Sequence, residues 1–206
     1  DVCSAPGGKT THMATLMNNT GQVVSRDIYD HKLKLINASC KRLGLTNVDV
    51  QEYDGMKLDK DSIAKFDYVL ADVPCSGLGI IRRKPEIKYK EKEEFRELPP
   101  IQKKILENAS KYVKVGGTLI YSTCTIQDSE NLDVIKEFLQ KKDCPVKKIT
   151  MLEKAVCVFP SEKELPDYTK TLAKRDKIYQ FIGVYTGGQQ DENGRLLCEY
   201  WEVAIG

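Results

Sequence analysis

The chain has 206 residues, 41% hydrophobic and 30% charged, with a net charge of +2, which suits one domain with a sizeable core and is too small a charge to establish a polyanionic partner. No apolar run approaches the ~20 residues of a membrane span and Asp1 opens no signal peptide, so no membrane partner and a cytoplasmic location are expected. The seven cysteines (3, 40, 75, 124, 144, 157 and 198) form no C-x-x-C pair and only His12 and His31 accompany them, which favours reduced thiols over a disulfide framework and predicts no metal site.

Short apolar segments alternate with helical patterns along the chain. Asp1-Val2-Cys3 reads as the last residues of a first strand, and Met13, Leu16 and Met17 as one face of a short helix. Gln22-Val23-Val24-Ser25 is a second strand ending at Arg26-Asp27. Tyr29, Leu33, Ile36, Cys40 and Leu43 recur at helical spacing, with Gly44 as the stop. Val48-Asp49-Val50 begins a third strand and residues 66–71 form a fourth. A helix behind Pro99-Pro100 carries Ile101, Ile105, Leu106, Ala109 and Val113. Residues 117–122 make a fifth strand, and Leu132, Ile135, Phe138 and Leu139 a further helix. Such alternation predicts an α/β fold, a mainly parallel sheet with helices on both faces. Beyond Thr150 the pattern is weaker: Ile178–Tyr185 and Leu196–Ile205 read as a terminal antiparallel hairpin, and residues 151–177 have no clear period.

Two cysteines follow directly on apolar strands, one in Asp72-Val73-Pro74-Cys75-Ser76-Gly77 and one in Ser122-Thr123-Cys124-Thr125. In an open α/β sheet the reactive crevice lies beyond the carboxyl ends of the strands, so both thiols are expected to face it. A thiolate is a strong nucleophile once a polar or cationic neighbour lowers its pKa. The plain alternative for each is a small core filler. Against it, Pro74 and Gly77 end one strand at a turn, and Ser76, Ser122, Thr123 and Thr125 surround the sulfurs. Arg82-Arg83-Lys84, Lys88, Lys90 and Lys92 follow the first cysteine turn and suit phosphates beside the crevice; Glu86, Glu91, Glu93 and Glu94 interleave with them, as in a merely solvated loop.

Strand one leads into Ser4-Ala5-Pro6-Gly7-Gly8-Lys9-Thr10 and a helix, where small residues admit a ligand to the backbone. A P-loop would need a glycine where Cys3 stands, and a dinucleotide fingerprint needs G-x-G-x-x-G, whereas only adjacent glycines are present. S-adenosylmethionine, with an amino-acid carboxylate, a ribose and no phosphates, remains. Asp27 ends strand two where an acidic side chain accepts ribose hydroxyls, and Asp54 follows strand three in place to meet an adenine amino group. Either alone is equally a loop or turn cap.

These stretches, together with Ile81-Arg82-Arg83-Lys84-Pro85 and Tyr121-Ser122-Thr123-Cys124-Thr125, closely resemble the RNA (cytosine-5) methyltransferases of the Nol1/Nop2/Sun family, densely from residue 1 to about 140. The resemblance implies a class I S-adenosylmethionine-dependent methyltransferase (Rossmann-like) fold of seven strands ending in an antiparallel hairpin. It implies one catalytic domain over residues 1–206, its first strand cut at its start and the family's upstream RNA-binding region absent. It further implies that Cys3, Ser4, Ala5, Pro6, Gly7, Gly8, Lys9, Asp27, Asp54 and Asp72 bind S-adenosylmethionine. Cys124 would be the nucleophile on carbon 6 of a cytosine, Cys75 would assist proton removal and release, and Asp72 would bond the base near its ring nitrogen. Lys9 would orient acidic groups or simply close its loop onto the helix. The implied partner is ribosomal RNA, of the small subunit, bound by a monomer. The family's Asp-Gly-Phe-Phe strand is not recognisable; Tyr200-Trp201-Glu202-Val203 stands in its place. Two other readings remain open: a DNA (cytosine-5) methyltransferase, with Cys75 as nucleophile, and a non-catalytic fragment that holds cofactor or RNA.

Overall fold

The computed structural model describes residues 1–90 and 92–141, and beyond them the backbone of the strands at 146–156, 189–190 and 196–205. Helix α1 (Gly8–Leu16) leads to β1 (Val23–Asp27), α2 (Asp30–Leu43), β2 (Val48–Glu52) and β3 (Phe66–Asp72). A short helix α3 (Lys92–Arg96) and the long α4 (Leu98–Tyr112) precede β4 (Val113–Ser122) and α5 (Leu132–Leu139). Strands β5 (Val146–Val156), β6 (Gln189–Gln190) and β7 (Leu196–Ile205) complete the order.

Residues 1–4 are the hinge of the sheet. Asp1 N donates to Val24 O at 2.9 Å, and Arg26 N and Ser4 N bond Asp1 O and Arg26 O on the β1 side, while Val2 N donates to Leu70 O of β3. The first-strand residues thus join the parallel β1–β2 pair to the parallel β3–β4 pair. β7 then runs antiparallel between β4 and β5, and also pairs with β6. The ribbon order β2, β1, residues 1–4, β3, β4, β7, β5 contains seven members.

Alternation of side chains across this ribbon explains the two layers of helix. Asp1 faces α1, where its carboxylate accepts from Thr10 Oγ1 at 2.8 Å. Val2 faces the other way, into a core of Val69, Ala71, Val73, Leu119 and Tyr121 beneath Ile105, Leu106 and Ala109 of α4 and Val134, Ile135 and Phe138 of α5. Leu70 and Ile120, between those positions, are also buried. Strands covered on both faces read as continuous apolar runs, which is how 66–71 and 117–122 look in the sequence. On the α1/α2 side Leu33, Ile36 and Cys40 pack over Val48, Val50 and Ala5.

The helix at 8–16 differs from the sequence reading. Its buried side is Thr10, Thr11 and Ala14, whereas Leu16 is 70% exposed. Thr10 Oγ1 also lies 3.1 Å from Ser25 Oγ, so small polar side chains hold this helix close to β1 and a larger apolar face would not fit. At α2, Leu43 and the capping Tyr29 are likewise exposed, and a narrower stripe does the packing. Both histidines sit on helix surfaces. The strand at 146–156 runs into the stretch 151–177 for which the sequence shows no clear period, and 178–185, read as half of a hairpin, lies outside the described residues. Trp201, inside the segment replacing the family's expected strand, does pair in register with Tyr121.

Among the described residues no helix is long and apolar enough to cross a membrane. Leu106 is fully buried between α4 and the sheet, so Leu106→Ala should cost about 2–5 kcal/mol of stability, the range for a buried leucine cavity; urea denaturation followed by circular dichroism measures it.

Candidate active site

The site is built on one register pair. Asp72 at the end of β3 lies beside Ser122 at the end of β4, and Ser122 Oγ donates to Asp72 Oδ1 at 2.6 Å. Each strand then turns at the same level, delivering Cys75 three residues later and Cys124 two residues later. Cys75 Sγ and Cys124 Sγ stand 3.0 Å apart, and Cys124 N donates to Cys75 Sγ at 3.2 Å. Both thiols are half-buried and free. The turns interlock through their backbones: Gly79 N donates to Cys124 O at 3.0 Å, and a Cβ on Gly79 would fall 2.8 Å from that same oxygen. Only glycine lets the two loops approach so closely.

The two sulfurs are electrostatically unequal. The S–H of Cys75 donated to Cys124 lowers the Cys124 thiol below the ordinary value of 9.0; Lys9 adds to this, while burial and Asp72 oppose it. Cys75 moves the opposite way, raised by the same hydrogen bond and by deeper burial. The opposed shifts make Cys124 the more readily ionised of the two and Cys75 the one that keeps its proton longer, the polarity an attacking thiolate requires. Lys9 Nζ forms an ion pair with Asp72 Oδ2, so the Asp72 carboxylate is held between a lysine from the first loop and a serine from β4.

The first loop brings the other predicted residues to the same end of the sheet. Ser4 Oγ donates to Arg26 O at 2.9 Å, and Ala5 N donates to Asp27 Oδ2 at 3.0 Å. Gly7 has φ 101°, and a Cβ there would lie 3.0 Å from Ile36 Cγ1. This glycine starts α1 against α2 as no other residue could. Nothing lies within 4 Å of a Cβ built on Gly8, so the backbone there is open to a ligand. Cys3 reports the surrounding field: burial first, then Asp27, Asp72 and Asp54, push its thiol up to about 12 against the opposing pull of the amino terminus. Three carboxylates thus converge on one loop. Asp27 Oδ1 also accepts from Tyr29 N at 3.3 Å, which leaves each of its oxygens a second acceptor site. Asp54 Oδ1 accepts from Met56 N at 2.9 Å and closes a turn, the capping role set beside the adenine role above.

The sequence reading missed the residues that hold the thiol loops. Asn131 accepts from Thr123 Oγ1 and donates to Thr125 O at 3.0 Å, Thr125 Oγ1 lies 2.7 Å from Ser76 Oγ, and Glu130 Oε2 accepts from Ser76 N at 2.8 Å. Gln102, on the buried side of α4, is the one available clue: an amide at a helical core position needs partners. The basic segment after Cys75 is exposed through Arg82, Arg83, Lys84, Lys88, Tyr89 and Lys90, yet Ile87 in its middle is 5% exposed. A Cβ on Gly77 (φ 73°) would meet the Ile87 side chain at 2.9 Å, so this segment is anchored on the cysteine turn itself. A cavity of about 150 Å³ lined by Asp1, Val24, Phe66 and Tyr68 lies at the opposite, amino-terminal ends of the strands and takes no part in the site. No group of residues suited to a metal ion occurs among the described residues.

Residues 1–176 match the family described as 16S rRNA methyltransferase RsmB/F. The chain belongs to this family. Among similar RsmB/F relatives, the probable ribosomal RNA small subunit methyltransferase B of Bacillus subtilis is 47% identical over 143 residues, covering 68% of this chain and 32% of that protein. The human 28S rRNA (cytosine(4447)-C(5))-methyltransferase is 40% identical over 148 residues, 69% of this chain and 18% of its own length. The chain therefore spans a third or less of these relatives. Among solved structures, NSun6 from Pyrococcus horikoshii with SFG superposes with a TM-score of 0.63 at 22% identity, over 100% of this chain and 46% of that one. A methyltransferase homologue from the same organism gives 0.63 at 24%, over 100% and 59%. The fold is thus the Rossmann-like fold of the methyltransferases.

In this RsmB/F chain the Cys75-to-Cys124 hydrogen bond is the largest influence on the Cys124 thiol. Because the shift is downward, alkylation of Cys124 by iodoacetamide should turn on at a pH below that of an ordinary thiol. Cys75→Ala should move that midpoint up. Peptide mass spectrometry across a pH series measures both.

Proposed function

We propose that the chain is the catalytic part of an S-adenosylmethionine-dependent RNA (cytosine-5) methyltransferase acting on ribosomal RNA, of the small subunit. The observation that carries this reading is the polarised thiol pair at 3.0 Å beside the Lys9–Asp72–Ser122 cluster. Three carboxylates around the first loop suit a ligand that is rich in donors and positively charged. S-adenosylmethionine fits: its hydroxyls and ammonium group can donate to Asp27, Asp54 and Asp72, and Gly8 supplies an open stretch of backbone within residues 3–9. When bound, it supplies the methyl group.

Carbon 5 of cytosine is too weak a nucleophile to be methylated directly. The Cys124 thiolate adds to carbon 6, forming a C–S bond and shifting electron density to carbon 5, which takes the methyl group. Asp72 bonds the base edge near the ring nitrogen and stabilises the protonated adduct, and Lys9 holds Asp72 in place. The carbon-5 proton then passes to water or hydroxide in the crevice, the electron pair of the broken C–H bond restores the ring double bond, and the C–S bond breaks to return the Cys124 thiolate. Cys75 assists this step: its S–H, which stabilises the Cys124 thiolate at rest, stabilises it again as the leaving group. The exposed basic segment anchored on the Cys75 turn suits the RNA backbone, and the base must leave its stack to reach the thiols.

Methyl transfer to unmodified ribosomal RNA, with the modified base identified by mass spectrometry, tests the reading as a whole. Asp27→Ala should weaken S-adenosylmethionine binding by about 1–3 kcal/mol, the cost of lost hydrogen bonds to a charged group; calorimetry measures it, and unchanged affinity removes Asp27 from the site. Cys124→Ala should abolish turnover with cofactor affinity retained. Cys75→Ala should instead accumulate a covalent protein–RNA complex on natural cytosine RNA, seen as a band surviving denaturing electrophoresis, and the double variant should lose that band. A DNA-type mechanism predicts the reverse dependence on the two cysteines.

A further inference from the structure

Glu130 is 1% exposed and Gln102 fully buried, yet neither belongs to the apolar core. Their side chains meet: Gln102 Nε2 donates to Glu130 Oε2 at 2.9 Å. Both then reach the cysteine turn from behind. Glu130 Oε2 accepts from Ser76 N at 2.8 Å, and Gln102 Nε2 donates to Pro74 O at 3.0 Å. The residues on either side of Cys75 are therefore gripped by one buried pair, while Cys75 itself carries the thiol forward into the crevice.

The position of Glu130 is itself fixed. The hydroxyl of Tyr121, a fully buried residue, donates to Glu130 O at 2.7 Å. The next residue, Asn131, holds the Cys124 loop through Thr123 and Thr125. Two consecutive residues thus clasp the two thiol loops, Glu130 the first and Asn131 the second. The arrangement is costly, since Glu130 Oε1 and Gln102 Oε1 are buried without hydrogen-bond partners, and a buried carboxyl imposes a desolvation penalty that an apolar side chain would avoid. An unfavourable polar group at this point of the fold has a rationale if it serves the turn it holds.

We propose that Glu130 is a positioning residue for Cys75: by accepting the Ser76 N–H it sets the approach of the Cys75 sulfur to Cys124, and through it the release of the methylated base. This rests on the division of labour between the thiols proposed above. Glu130 touches neither sulfur and makes no contact with the reacting atoms; its effect passes through the Ser76 backbone.

The test uses the full chain with Glu130→Ala, Glu130→Asp and Glu130→Gln, each checked for folding by circular dichroism, and Cys75→Ala in parallel. Glu130→Ala should raise the pH midpoint for iodoacetamide alkylation of Cys124 as Cys75→Ala does, lower kcat by roughly 10–100-fold, the scale of a misplaced catalytic group, and accumulate the covalent complex on natural cytosine RNA. KM for S-adenosylmethionine should change little. Glu130→Asp, which keeps the carboxyl group but withdraws it by one methylene, should behave likewise and carries the test if the alanine variant fails to fold. Glu130→Gln keeps an oxygen for Ser76 N and Gln102 Nε2 and should restore most of the turnover. A Cys124 midpoint that moves in Cys75→Ala but not in Glu130→Ala or Glu130→Asp overturns this proposal alone. A midpoint unmoved in Cys75→Ala overturns it together with the division of labour. Loss of fold in both Glu130→Ala and Glu130→Asp assigns the residue to stability and overturns it too.

Discussion

The contact between the sulfurs of Cys75 and Cys124, at 3.0 Å, is the constraint to which the rest of this crevice is adjusted. A hydrogen bond between two thiols eases ionisation of one and hinders ionisation of the other, and neither would be so polarised alone. That bond requires a particular separation, and three features supply it. The β3–β4 pairing puts Asp72 and Ser122 level, so both turns begin at one height. Gly79 lets the loops touch backbone to backbone. Glu130 and Asn131 hold each loop from behind. The apolar core beneath α4 and α5 keeps the two strands in that register.

Charge is distributed to the same end. The sole ion pair within the crevice among the described residues joins Lys9 to Asp72, while Asp27 and Asp54 stand beyond it on the next two strands and raise the Cys3 thiol with it. A first loop ringed by carboxylates favours a cationic, donor-rich ligand, and the one lysine lies where it also favours the Cys124 thiolate. The basic residues, by contrast, lie outside the crevice on the segment tied to Gly77 by Ile87. A cationic cofactor inside and a polyanionic substrate outside is the separation that the proposed function would draw from these two fields.

Much of this is written locally in the chain. Alternating apolar runs and helical spacings located the strands through residue 122 and the helices at 30–43, 98–112 and 132–139, because both patterns depend on neighbours within a few residues; Val113, which the helical spacing claims, instead opens β4 four residues before the predicted start. The polar cluster around each cysteine marked the thiols as crevice residues, and Gly7-Gly8 marked the loop before α1. The small polar face of α1 escaped notice because its threonines are buried by fit against Ser25 and Asp1, not by hydrophobicity. What only the tertiary structure decided is which distant groups meet. Glu130 and Ser76 are 54 residues apart, Gln102 and Glu130 28, and no periodicity links them. A buried hydrogen bond is set by the packing of whole elements around it, so its partners become legible only once the sheet has brought β3, β4 and α4 together.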